Sequence, residues 1–147
     1  RLKVSEQLRY CSEFFNKDVL FQSARILIAD RVAAVRKDAI ISFAHLVTED
    51  KLPIIVQLAS DDRYWERIAA AEVINNVDIK FGKKLIRPLL NLCRDKVANV
   101  RISAVAAAIS MLDKLEGEDK EEILKIIEEL KHYKDVDVAN TANSVFL

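Results

Sequence analysis

Three carboxylate–guanidinium pairs in this chain share one spacing. Asp30 and Arg36, Asp61 and Arg67, and Asp95 and Arg101 are each six residues apart. They frame one phrase, Asp30-Arg-Val-Ala-Ala-Val-Arg36 and Asp95-Lys-Val-Ala-Asn-Val-Arg101, with a looser copy, Asp61-Asp-Arg-Tyr-Trp-Glu-Arg67, between them. The chemistry open to such pairs is charge-assisted hydrogen bonding, not catalysis. An Asp before a helix can accept N–H groups at the helix start and complements the positive end of the helix dipole. An Arg in the first turns of that helix can pair with an Asp of its own or the next repeat, so repetition builds a ladder. The alternative is a set of ordinary surface ion pairs, worth about 0–1 kcal/mol each.

Beside the second pair lie Arg63, Tyr64 and Trp65. Trp, Tyr and Arg are the residues enriched at binding hot spots, so this turn is a candidate docking point; the alternative is that one aromatic packs between repeats. Other reactive patterns do not assemble in the sequence. Gly82 and Gly117 stand alone, so there is no Gly-rich phosphate loop. His45 and His132 are far apart on helical segments and read as packing or surface residues. Cys11 and Cys93 are also far apart and read as buried thiols in a reducing compartment. No cofactor and no metal site is expected. Residues 116–129 hold seven acidic and two basic side chains. With Lys120 and Lys125 interspersed they read as a solvated, i,i+4-paired face, or as a patch for a basic partner. Lys83, Lys84 and Arg87 read as a solvated helix face.

These residues must be positioned by helices. Apolar residues recur at three- and four-residue steps over 2–15, 17–29, 31–48, 50–59, Tyr64–Asn76, Lys83–Cys93, Val97–Leu115, a segment from about 118, and 136–146. Asn16 suits a helix cap and Asp18 its first turn. Pro53 falls in a first turn, where a missing N–H is tolerated. Pro88 falls inside 83–93 and predicts a bend or break. Asp119-x-x-Glu122 resembles a capping box before the run Ile123, Ile126, Ile127, Leu130, Tyr133. The expected organisation is a leading single helix and four helix pairs, each pair turning at an Asp. The copies start 31 residues (30 to 61) and 34 residues (61 to 95) apart. That period in a helical pattern predicts an all-α chain folded as an α-solenoid.

Composition agrees and excludes other classes. Only two Gly and two Pro occur in 147 residues, too few for a β-sandwich or a nucleotide-binding α/β fold. Hydrophobic residues make up 51%, enough for a core. With 23 basic and 23 acidic side chains the net charge is zero, against the basic excess of nucleic-acid binders. No apolar run is long enough to span a membrane. The first residue is Arg, so the chain is expected to be a piece of a longer one.

The phrase Asp-x-Val-x-x-Val-Arg, with Pro in the preceding helix, resembles a HEAT repeat. The order of the turns at Asp30, Asp61, Asp95 and Asp135-Val-Asp-Val138 is similar to the last repeats of the scaffold (A) subunits of type 2A protein phosphatases, across nearly the whole length. The resemblance implies one HEAT solenoid segment over 1–147, with repeats at 1–15 (partial), 17–48, 50–77, 81–115 and 118–147. It implies a non-catalytic scaffold whose turns hold a Ser/Thr phosphatase catalytic subunit. An exchangeable regulatory subunit would bind through repeats not present here, with no nucleic acid or membrane partner, in the cytoplasm and nucleus. The implied contact ridge is Arg31, Val32, Ala33, Arg63, Tyr64, Trp65, Lys96, Ala98, Asn99, Asp135 and Val136. Tyr64 matches a family aromatic and Asn99 a family Asn. Trp65 stands where the family has an aliphatic residue, so it is either ridge or core. Ala33 stands where the family tends to have an aromatic, and Ala139 where the ladder's basic residue would fall. The segment Thr48-Glu-Asp-Lys51 is shorter than the family's loop. The alternatives are a HEAT adaptor in transport or chromosome organisation, and a HEAT-like DNA glycosylase. The latter is disfavoured by the lack of basic excess and of a convergent acidic–aromatic site.

Overall fold

The computed structural model describes residues 16–144. The helix expected at 2–15 and the end of the one expected at 136–146 lie outside the described residues. Asn16 starts the first described helix, α1 (Lys17–Leu27): its side-chain oxygen accepts the Asp18 N–H at 2.8 Å, and Asp18 sits in the first turn. Helix α2 covers Ala33–His45, shorter than the expected 31–48 because Val32 and Thr48 are both extended. A 3₁₀ turn at Glu49–Lys51 leads into α3 (Leu52–Ala59), with Pro53 in its first turn. Helix α4 spans Tyr64–Asn76, the bounds expected from periodicity.

The next stretch differs from expectation. Asp78 caps a one-turn helix, α5 (Ile79–Gly82), accepting the Lys80 N–H at 3.0 Å. The single helix expected at 83–93 is a 3₁₀ turn, Lys83–Leu85, followed by α6 (Ile86–Cys93). Pro88 has no N–H to offer the Lys84 carbonyl and its ring crowds that oxygen, so the helix restarts at Ile86 and carries Pro88 in its first turn. Helix α7 (Ala98–Met111) ends in a 3₁₀ turn at Leu112–Lys114. Helix α8 covers Gly117–Lys131 and α9 Val136–Asn143. The capping box expected at Asp119 and Glu122 does not form. The chain turns into α8 earlier, through extended Glu116 and Gly117 at φ +63°, a left-handed backbone that favours glycine. Tyr133 lies past the end of α8 and is exposed, so it is no part of the apolar stripe.

The described residues are all helical and turn, with no strand. Helices α1 and α2, α3 and α4, α6 and α7, and α8 and α9 pack as consecutive pairs. The second helices, α2, α4, α7 and α9, also pack on one another in chain order. The first helices α3, α6 and α8 do the same. A second helix thus has neighbours on three sides, so its apolar surface must be wide. Helix α7 accordingly buries Val100, Ala104, Val105, Ala107, Ala108 and Met111, and α4 buries Ala69, Ala70, Ala71, Val73 and Ile74. Alanines on facing helices let the backbones approach closely. Among the first helices, α8 shows a narrower stripe of Ile123, Ile126, Ile127 and Leu130. One continuous core runs from Leu20 to Ala142, and Phe21 stacks on Phe43 at its start, ring centroids 4.3 Å apart.

Close packing between α4 and α7 makes Ala104, fully buried, intolerant of bulk. Ala104→Leu is expected to lower unfolding free energy by about 1–3 kcal/mol through overpacking, measured by urea denaturation.

Candidate functional site

The four turns that start α2, α4, α7 and α9 have one backbone conformation. The residue before each helix, Val32, Arg63, Val97 or Asp135, is extended, with φ between −98° and −78° and ψ between 115° and 124°. In the first three turns an Asp two residues earlier accepts that residue's N–H: Asp30 from Val32 at 2.8 Å, Asp61 from Arg63 at 2.9 Å, Asp95 from Val97 at 2.8 Å. The Arg four residues into the turn then reaches back. Its Nη1 donates to the carbonyl of the same Asp, at 2.8 Å for Arg36, 2.7 Å for Arg67 and 2.7 Å for Arg101. The six-residue spacing is therefore the spacing that lets one Asp and one Arg close the turn from both ends.

Between repeats the three arginines diverge. Arg67 forks onto Asp95 of the following turn, Nε to Oδ2 at 2.6 Å and Nη2 to Oδ1 at 3.0 Å, with both side chains buried. Burial alone would raise the Asp95 carboxyl, but the Arg67 fork and the Val97 N–H outweigh it and hold it below its ordinary value. Arg101 has no such carboxylate. Tyr133 occupies the position that Asp95 holds one turn earlier, and the Arg101 guanidinium lies over its ring at 4.7 Å. Asp135 stands two residues later, at the helix cap, where it accepts the Asp137 and Val138 N–H groups and lies 3.7 Å from Arg101. Arg101 Nε is left buried without a hydrogen-bond partner. Ala139 fills the position of the arginines, so the series stops there.

Arg36 makes no ion pair with Asp61, contrary to the expected ladder. The cause is a paired substitution in the second turn. Where the first and third turns have Val32 and Val35, or Val97 and Val100, the second has Arg63 and Glu66. Arg63 chelates Asp61, Nε to Oδ1 and Nη2 to Oδ2, both at 2.9 Å. These bonds hold the Asp61 carboxyl well below the usual carboxylate range. Glu66, 2% exposed at a position that is otherwise a core Val, is held by Arg25 at 3.2 Å and by Arg63 at 3.3 Å. A buried carboxylate is tolerated only with such partners. Arg25 of α1 thus replaces Arg36 as the link between the first and second pairs.

The contact residues expected on this ridge are mostly at the surface. Arg31, Val32, Ala33, Arg63, Tyr64, Trp65, Lys96, Asn99 and Val136 are exposed; Ala98 and Asp135 are half-buried. Trp65 is a surface residue, 45% exposed and edge-on to Tyr64 at 5.3 Å between ring centroids. Of the nine large hydrophobic side chains exposed among the described residues, five stand at these turns: Val32, Tyr64, Trp65, Tyr133 and Val136. Tyr133 was missed in the sequence because it completes an apparent helical period.

Burial pushes the Cys93 thiol up to about 12, which leaves it unreactive; Cys11 lies outside the described residues. His45 and His132 are exposed. No group of His, Cys, Asp and Glu that could hold a metal ion occurs among the described residues. The acidic face pairs within its helix at i,i+3, Glu128 with Lys131 at 2.6 Å, and not at i,i+4. The basic cluster is at the surface as expected, with Lys84 beside Glu49 and Arg87 3.8 Å from Glu122, and Arg94 meets Glu129 at 3.0 Å. Among the described residues no helix is long and apolar enough to cross a membrane. No family model matches the chain, and no curated protein matches it significantly.

Removing Asp95 leaves Arg67 buried without a counter-charge. Asp95→Ala is expected to cost about 3–5 kcal/mol, read from the urea midpoint. Because the folded Asp95 carboxyl lies below its ordinary value, its contribution is fully present above the unfolded value of about 3.9 and is lost as pH falls through the folded value. The acid limb of the wild-type stability curve, below about pH 4, is therefore expected to be steeper than that of Asp95→Asn, as followed by circular dichroism across pH.

Proposed function

We propose that the chain is a HEAT-type α-solenoid segment, one domain over its length, acting as a non-catalytic scaffold that docks a partner protein on its helix-start turns. The observation that carries this reading is the collection of exposed aromatic and aliphatic side chains along those turns, Val32, Tyr64, Trp65, Tyr133 and Val136. Exposed apolar side chains gathered on a rigid ridge are the raw material of a protein interface. The turns are stiff because Asp and Arg close each of the first three, so little ordering entropy is lost on docking.

The partner class rests on the resemblance to scaffold subunits of type 2A protein phosphatases: a Ser/Thr phosphatase catalytic subunit, in the cytoplasm and nucleus. Isothermal calorimetry of the chain with a purified type 2A catalytic subunit tests this. Saturable one-to-one binding supports it. Absence of heat with a folded chain removes the phosphatase and leaves a HEAT adaptor for another protein, a reading favoured by exposed Ala33 where the family tends to have an aromatic. Tyr64→Ala with Asn99→Ala is expected to weaken catalytic-subunit binding by about tenfold or more while leaving the circular-dichroism melt within a few degrees. Unchanged affinity with an intact melt would place the contacts elsewhere.

A further inference from the structure

The ridge is not uniform. Between the first and second turns lies a groove of about 690 Å³. Its floor is apolar (Ile28, Ile40, Ala69), one wall is Tyr64 with Trp65, and Arg36 stands at its edge. A second depression continues from it along α2 and α4, sharing Arg36, Ile40 and Glu72. The following interval shows what closes such a site: Arg67 and Asp95 are joined there by a two-bond fork. Arg36 holds the same place in its own turn. One edge of its guanidinium donates to the Asp30 and Arg31 carbonyls at 2.8 and 3.2 Å, and among the described residues no carboxylate forms an ion pair with it. Asp61 is turned away by Arg63. Glu72, whose carboxyl is raised by burial, feels the charge of Arg36 without pairing to it.

We infer that this groove receives a carboxylate-bearing segment of the partner protein, an Asp or Glu side chain taking on Arg36 the place that Asp95 takes on Arg67. An apolar residue next to it in the partner packs on Trp65 and on the floor formed by Ile28 and Ile40. The inference rests on the protein-docking reading and narrows its chemistry. The charge argument is internal to the molecule. A planar fork with one free edge matches a carboxylate in two parallel bonds, and Arg31 adds a second cation to the same lining. Asp30, the acid of the lining nearest in sequence, already accepts the Val32 N–H.

The test uses the whole 147-residue chain and two probes, acetyl-Ala-Leu-Glu-Leu-Ala-amide and its Gln counterpart, followed by ¹⁵N NMR. The Glu peptide is expected to shift the Trp65 indole and Arg36 Nε resonances and to bind about tenfold more tightly than the Gln peptide, since only the carboxylate makes charge-assisted bonds. Equal binding of the two peptides, shifts confined to another surface, or none up to about 10 mM overturns the proposal. These comparisons need no variant, so loss of fold cannot obscure them. Two variants sharpen the result. Arg36→Lys keeps the charge and loses the fork, and is expected to reduce the Glu preference severalfold without removing it. Arg63→Val with Glu66→Val recreates the apolar turn, releases Asp61 to Arg36, and is expected to close the site; undiminished Glu-peptide binding by this folded double variant overturns the mechanism. Peptide selectivity decides the groove and calorimetry with the catalytic subunit decides the phosphatase reading, so failure of one is distinguishable from failure of the other.

Discussion

Three of the four turns depend on an arginine reaching back to the carbonyl of its own turn. In each of three turns the guanidinium satisfies a main-chain oxygen that the helix start leaves open, while the Asp side chain satisfies the N–H of the residue before the helix. Both ends of the turn are thereby tied with no metal, disulfide or glycine. The arrangement has a cost in sequence freedom: Lys carries its donors on one nitrogen and lacks the planar fork by which Arg67 holds two turn carbonyls, Asp61 and Asp62, and the Asp95 carboxylate together.

What the free edge of that arginine does is set by its surroundings. Beside Asp95 it makes a buried, two-bond link to the next repeat. Beside Tyr133 it becomes a stacking partner, with one buried N–H unanswered. Beside Arg63 and Glu66 it is displaced, because Arg63 takes Asp61 and the link passes to Arg25 and Glu66. The same backbone carries three different electrostatic junctions. The core position beside each turn stays apolar at Val35, Val100 and Val138, and only Glu66 departs from it.

Much of the fold was legible in the chain. The bounds of α4, the Asn16 cap, the Pro53 start and the Asp–Arg turns all follow from local rules: period, capping and the tolerance of Pro in a first turn. Errors arose where a local signal was outweighed. Asp119 and Glu122 had capping chemistry, but Gly117 allowed the helix to begin earlier. Tyr133 fitted a helical period, yet the helix had ended and the ring served Arg101 instead. Of the acidic residues spaced for intrahelical pairing, Glu128 found Lys131 in its own helix, while Glu122 and Glu129 found arginines on a neighbouring one. Nine of the eleven residues named from the family resemblance are exposed, but Tyr133 was not among them; that Trp65 lies at the surface was left open by the sequence and decided by packing.

By itself the sequence determined most of the described helices, their consecutive pairing and the Asp–Arg turns, because these depend largely on contacts among residues a few positions apart. Tertiary structure alone decided which Asp each Arg would meet, that Glu66 would be buried between two arginines, and that Arg36 would face a groove with its fork unfilled. Those outcomes are competitions among charges brought together from different repeats. Spacing along the chain does not rank such competitors; distance and burial do.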